Sequence, residues 1–494
     1  MRKPGVFVLI ISILLMFTGC NEQTGDSAMP GTAIGQSGTG TAGNNETSGT
    51  AAEGSGEPTE GQSSEQGSTV LDGGQTPGTT QSPGTAQTPG TAQTPGTAQT
   101  PGTAQQTGQT GQNGQSGQSD QTGQAGPGGS VGEMAAKTLA GMSTAEKIGQ
   151  MFIVGFDGTE AGADIKDMIK NRFVGGVILF QRNAKDPVQL LRLNNSIKEI
   201  NKANKAPLFI SVDEEGGRVS RMPDQLNDMP AALSVGNTQN SGYAYDTGAM
   251  LAGEIAAFGF NTDFAPVLDI WSNPQNTVIG DRAFGTTPEI VSRMGIPVMN
   301  GIRDRGIIPV VKHFPGHGDT VIDSHIGLPK VDYDMKRLDS FELVPFRTAI
   351  ADGADAIMVA HILMCALDKK YPASLSKAVI TDLLRGKMGF DGVVITDDMT
   401  MGAIAKNYSA GSAAVKSVLA GSDIILVCHG TDSQRQAIDS VAAAVKNGTI
   451  PIERIDESVG RILRLKYKYK LSDKTIESVN VDELNKKIAA VLTE

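Results

Sequence analysis

Residues 392–398 read GVVITDD, a short continuous apolar run, rich in β-branched residues, that ends in two acids. A strand with one wet face would alternate apolar and polar residues, so an unbroken run marks a strand buried on both faces. Seven more runs of this kind occur: MFIVGF (151–156), GVILF (176–180), PLFISVD (207–213), TDFAPVLDI (262–270), IPVVKHF (308–314), AIMVAHI (356–362) and DIILVCHG (423–430). Stretches of helical character lie between them, such as DPVQLLRLNNSIKEINKAN (186–204) and SAAVKSVLA (412–420). Strands separated by helices predict a parallel sheet covered on both faces. Eight such units in about 360 residues predict an α/β fold of the (β/α)₈ (TIM barrel) type, in a single domain over 131–494. A doubly wound open sheet is the alternative reading. In a barrel the chemistry sits at the C-terminal ends of the strands. The polar residues fall there: Asp213, Lys312-His313, His361, Asp397-Asp398 and His429.

Upstream of this region the composition changes. Residues 1–20, MRKPGVFVLI ISILLMFTGC, have a basic start, an apolar run too short to span a membrane, and small residues before Cys20. This is the pattern of a secretory leader. Thr18-Gly19-Cys20 resembles a bacterial lipobox, which implies acylation of Cys20 and a lipid anchor in the cell membrane, although Phe17 replaces the usual Leu. Residues 21–130 are Gly, Thr, Gln, Ser, Pro and Ala, with TPGTAQ-like repeats over 76–105. Such a segment has too little apolar surface to offset the entropy of ordering, and is expected to be a disordered tether. As a flexible coil its reach is roughly 60 Å. It carries nine acidic residues and no basic one, so the remainder is only mildly acidic against a net charge of −11 for the chain. That balance argues against nucleic acid as a partner. Cys365 and Cys428 each close an apolar run and read as buried free thiols.

The stretch KHFPGHGDTVIDSHIGLP (312–329) holds three of the five histidines. His313 and His317 have the i, i+4 spacing of a helical metal site, but Pro315-Gly316 between them reads as a turn leaving a strand. A loop could still gather His and Asp ligands, while His317 and Asp319 fit a structural role. Asp323-Ser324-His325 sets a carboxylate two residues from an imidazole, so Asp323 could orient His325 as a proton carrier. At the end of the run over 392–398, one of Asp397 and Asp398 is expected to cap the following helix and the other to face the barrel mouth. ISVDEEGGRVSRMP (210–223) places two glycines after an acidic triplet, which suits either a ligand-binding turn or an ion-paired loop.

Taken together and in order, DEEGGRVSR, VIGDRAFG (278–285), the 312–329 stretch, IMVAHI and GFDGVVITDDMTMGAI (389–404) resemble the glycoside hydrolase family 3 β-N-acetylglucosaminidases. The resemblance runs from about Ser143 to Tyr469. It implies a (β/α)₈ barrel that removes terminal β-linked N-acetylglucosamine with retention, using no metal and no cofactor. It further implies Asp397 as nucleophile, His325 as acid/base with Asp323 as its partner, and Asp213, Arg221, Arg282, Lys312 and His313 as contacts to sugar hydroxyls. The chemistry agrees, because a retaining glycosidase needs a nucleophilic carboxylate and a separate acid/base. Many extracellular relatives carry a second α/β domain, and about 25 residues follow ERIDESVGRILRLKYKY (453–469), enough for one short helix in SDKTIESVNVDELNKKIAAVL (472–492). The expected substrates are N-acetylglucosaminides of glycans or muropeptide fragments, met outside the cytoplasm. A phosphorylase, a β-glucosidase and a non-catalytic glycan-binding lipoprotein are the alternatives.

Overall fold

A computed structural model describes residues 129–493 apart from 321–323 and 325–326. The expected leader with Cys20, the expected linker as far as residue 128, and both Asp323 and His325 lie outside the described residues. Eight strands form one parallel sheet: β1 (Phe152–Gly155), β2 (Gly176–Ile178), β3 (Phe209–Val212), β4 (Thr262–Asp263), β5 (Ile308–Phe314), β6 (Ala356–Val359), β7 (Val393–Thr396) and β8 (Ile425–Val427). Each pairs with the next in sequence as far as β7, and β8 pairs with β1, with Phe152 opposite Ile425. The seam between β7 and β8 is a single bridge, Ile395 with Ile424, extended by bonds from Thr396 N to Ile424 O (3.0 Å) and from Leu426 N to Thr396 Oγ1 (3.0 Å). The result is a nearly closed barrel, not an open doubly wound sheet, and every residue of the eight strands is buried. Parallel strands all end on the same face, so the eight C-terminal ends surround one mouth.

The run over 262–270 does not form one strand. Only Thr262 and Asp263 join the ladder, and Pro266, having no N–H, interrupts it. The chain rejoins through a bridge between Val267 and Lys312, with Leu268 N donating to Lys312 O. This irregular stretch leads straight to Asp269. A short parallel ladder, Lys330–Val331 against Leu363–Met364, holds the far end of the loop that leaves β5.

The surrounding helices start where the sequence supplies caps. Ser130 with Glu133 and Ser143 with Glu146 form capping boxes, while Asp186 before Pro187 and Thr287 before Pro288 pair a capping side chain with a preset φ. The expected C-terminal helix is present as Val481–Leu492, burying Leu484 and Ile488. Cys428 is buried, whereas Cys365 is only half-buried, because it follows the short outer ladder and not a barrel strand. Among the described residues, no helix is long and apolar enough to cross a membrane.

The weak seam is reinforced at its N-terminal end by Asp423, which is fully buried. Its carboxylate accepts from Arg385 Nη2 (2.6 Å), Arg454 Nη2 (3.3 Å), Ser458 Oγ (2.7 Å) and Val394 N (3.0 Å). Removing one partner of a buried ionic cluster leaves uncompensated charge. Asp423→Ala is therefore expected to cost about 3–5 kcal/mol in unfolding free energy. Urea denaturation followed by circular dichroism checks this, and a loss under about 1 kcal/mol contradicts it.

Candidate active site

The loops after the strands enclose a cavity of about 640 Å³ at the C-terminal mouth. Six residues singled out from the sequence line it together: Asp213, Arg221, Arg282, Lys312, His313 and Asp397. Asp213 follows β3, Lys312 and His313 end β5, Asp397 follows β7, and Arg282 comes from the short helical turn Gly280–Arg282 after β4.

Their charges are tied together by a residue that the sequence reading left unassigned, Glu215. Its carboxylate takes two parallel bonds from Arg282 (Nε to Oε2 and Nη2 to Oε1, both 2.7 Å), and Lys312 Nζ lies 2.6 Å from Oε1. Lys312 also donates to Asp213 Oδ1 at 2.6 Å. Burial opposes the charge on Glu215, but Arg282 and Lys312 outweigh it and hold the carboxyl well below the usual range. Two cations thus face two carboxylates, leaving a charged but locally neutral floor. Arg218 belongs to the ion-paired part of this loop, bonding Asp281 at 2.6 Å and the carbonyls of Thr277, Val278 and Ile279. Among the described residues, the Arg221 guanidinium bonds the Ser220 carbonyl at 3.2 Å, and Arg221 lines the cavity.

Asp269 is a second unforeseen member. Fully buried, it accepts from His313 Nδ1 (2.6 Å) and from the His317 backbone N–H (2.6 Å). With Nδ1–H given to Asp269, His313 Nε2 lies 3.5 Å from Arg282 Nη2, which can only donate. In the neutral ring, Nε2 is then the acceptor. Gly316 N bonds His313 O at 2.8 Å, which is the turn expected at Phe-Pro-Gly, so His313 and His317 share no helix face. His317 is buried with Nδ1 at 2.9 Å from Thr320 Oγ1 and Nε2 at 3.2 Å from Ser324 Oγ. Asp319 accepts from Ser272 Oγ at 3.1 Å. Both are structural, and the bonds of His317 fix Ser324, the one described residue of the Asp-Ser-His triplet, at the cavity wall. Among the described residues, no group of three or more His, Cys, Asp or Glu side chains could hold a metal ion.

Across the mouth, half-buried Asp397 accepts from the Asp398 backbone N–H at 2.8 Å. Burial works against its ionisation, yet His361, His313, that N–H and Lys312 together keep its pKa below the ordinary value. At neutral pH it is therefore a carboxylate at the cavity wall, the form a nucleophile needs. Asp398 does not cap the next helix, Gly402–Ala405, which has no side-chain cap. It instead accepts from Thr400 N (2.9 Å), Thr400 Oγ1 (2.5 Å) and Cys428 N (2.9 Å), joining the ends of β7 and β8 and leaving its neighbour to the cavity. Buried His361 steadies this turn, with Nε2 on Asp398 O at 2.8 Å.

The profile of the glycosyl hydrolase family 3 N-terminal domain matches residues 143–465. The chain belongs to glycosyl hydrolase family 3. The β-hexosaminidase A of Pseudoalteromonas piscicida is 33% identical over 341 residues, covering 64% of this chain and 57% of that one. The β-hexosaminidase of Thiobacillus denitrificans is 40% identical over 280 residues, covering 55% of this chain and 76% of the other. The solved structure of a family 3 β-N-acetylglucosaminidase from Paenibacillus sp. str. FPU-7 superposes with a TM-score of 0.67 at 42% identity, covering 71% of this chain and 68% of that one. The family 3 barrel thus extends here over the whole ring of strands and the mouth they surround.

A further cavity of about 470 Å³ is lined by Glu214, Glu254, Asp228 and Arg221, which also lines the first. Glu214 is buried, and burial pushes its carboxyl up to about 7 against bonds from Arg221 N and Ser220 Oγ. Glu254 is 2% exposed with one carboxyl oxygen unpartnered among the described residues, and burial with Glu214 and Asp228 nearby pushes it up to about 9. A folded-state acid pKa raised from 4.5 means that the native state holds the proton longer than the unfolded chain. Between about pH 4.5 and 9 the native state therefore binds more protons, and stability falls as pH rises through this window. Glu254→Gln should flatten that fall and raise Tm by several degrees at pH 8, with little effect at pH 4.5. Thermal melts across this range test it, and parallel pH profiles for the two proteins would contradict the assignment.

Proposed function

We propose that this protein is a retaining β-N-acetylhexosaminidase that removes terminal β-linked N-acetylglucosamine from glycans or peptidoglycan fragments by double displacement. The observation that carries the reading is the arrangement of the mouth: an ionised Asp397 faces a hydrogen-bonding floor in which Lys312 and Arg282 are already balanced by Glu215 and Asp213. Such a floor suits a neutral polyol, because its donors and acceptors are fixed in direction while its net charge is small. Asp213, Arg221, Arg282, Lys312 and His313 hold the sugar hydroxyls. An Asp397 oxygen attacks C1 as the C1–O bond to the leaving group breaks, and His325, oriented by Asp323, gives its proton to the departing oxygen. Water then attacks C1, the bond to Asp397 breaks, and His325 takes the proton from water.

The pairing of Lys312 and Arg282 favours water over phosphate as the acceptor. Lys312 and Arg282 are neutralised by the carboxylates they touch, so neither offers a free cation to a phosphate dianion. The leader-like start and Thr18-Gly19-Cys20 support a location outside the cytoplasm in this reading, with an acylated Cys20 as membrane anchor and residues 21–130 as the tether. Cys20→Ser should release it from the membrane fraction.

The test is release of nitrophenol from 4-nitrophenyl N-acetyl-β-D-glucosaminide, with chelator present and with or without phosphate. Wild type should give free sugar in every buffer. Asp397→Ala and His325→Ala should each lose roughly 10²–10⁴-fold in kcat while keeping the circular dichroism spectrum of the wild type. Full activity in either variant removes that residue from the mechanism, and sugar phosphate as product replaces the hydrolase with a phosphorylase.

A further inference from the structure

The wall of the catalytic cavity divides by chemistry. The groups that hold sugar hydroxyls in the proposed reaction stand at the ends of β3, β4 and β5, and Asp397 stands at the end of β7. A β-linked pyranoside carries its leaving group equatorially, so the substituent continues along the line from C4 through C1. With the hydroxyls held toward β3–β5, that line crosses the mouth to the opposite rim, where β8, β1 and β2 end. The rim there carries no Lys or Arg among the residues lining the cavity. It offers Phe180, Cys428 and His429.

His429 is exposed, its side chain 52% accessible, and stacks on half-buried Phe180 with ring centroids 5.4 Å apart and planes 29° from parallel. Single exposed aromatic rings are ordinary, but this pair is braced from three strand ends. Arg182 lies over the Phe180 ring at 4.4 Å, and its guanidinium bonds Phe156 O after β1 (3.3 Å) and Cys428 O after β8 (3.2 Å), with Asp157 at 2.7 Å. His429 Nε2 also lies 3.8 Å from the Asp398 carboxylate, beside the proposed nucleophile. A ring held in this way loses little freedom on contact with a ligand. The C–H faces of a pyranose are apolar and slightly positive, which matches the negative face of an aromatic ring.

Resting on the proposed glycosidase activity, we infer that the Phe180–His429 pair is the surface on which the leaving-group sugar packs, so that His429 sets the preference for a second pyranose ring over a leaving group without one. The test compares N,N′-diacetylchitobiose with N-acetyl-β-glucosaminyl fluoride, whose leaving group has no ring. The readout is the ratio of kcat/KM for the disaccharide to that for the fluoride. In His429→Ala this ratio should fall roughly three- to tenfold relative to wild type, and His429→Phe should restore most of it. A merely structural role for His429 would lower both values together and leave the ratio unchanged, which overturns the inference. So does a ratio that His429→Phe fails to recover. Wild-type protein that turns over neither compound overturns the glycosidase reading itself, and the platform falls with it.

Discussion

Closure of the parallel sheet is the constraint on which everything else rests. Seven of the eight seams are ladders that any pair of buried β-branched runs could form. The eighth, between β7 and β8, has one bridge and a few bonds, and these two strands flank the proposed nucleophile. Asp423 ties the seam at one end of the barrel, and Asp398 ties it at the other by bonding Cys428 N. The same two short strands therefore depend on a carboxylate at each end, and the turn that holds Asp397 in place is part of the closure. Fold and reaction centre are coupled at that point.

The floor of the mouth shows a second compromise. Burying Lys312 and Arg282 is costly, and the cost is met by bringing Glu215 and Asp213 within bonding distance of them. Proteins that recognise phosphate leave such cations unpaired, whereas here they are neutralised in advance. What remains, together with the Arg221 guanidinium, is a dense array of fixed dipoles and polar hydrogens that can discriminate hydroxyl positions. Burial also keeps the proton on Glu254 and pushes Glu214 up to about 7, which lowers the negative charge near Asp213.

Much of this was legible in the sequence because strands buried on both faces leave continuous apolar runs. Seven of the eight runs contain a barrel strand close to the expected position, and the polar residues at their ends meet at one mouth. The run over 262–270 misled because apolar composition does not reveal a broken ladder, although Pro266 and the lone acid Asp269 inside it were the signals. Glu215 stood in view within an acidic triplet, but adjacent acids have no sequence feature that says which one turns inward. The bond from Asp269 to His313 spans 44 positions, and Phe180 and His429, which follow the second and the last strand, are far apart in sequence although they stack at one rim. Contacts of that range are set by the closure of the sheet and leave no local pattern.

The central claim is that Asp397 becomes covalently bonded to the sugar. It can be tested by incubating the protein with a fluorinated N-acetylglucosaminyl fluoride that slows the second displacement, then digesting it and sequencing the labelled peptide by mass spectrometry. The account predicts a single sugar adduct on Asp397, formed with loss of activity. An adduct on another carboxylate, or inactivation with no adduct, would contradict it.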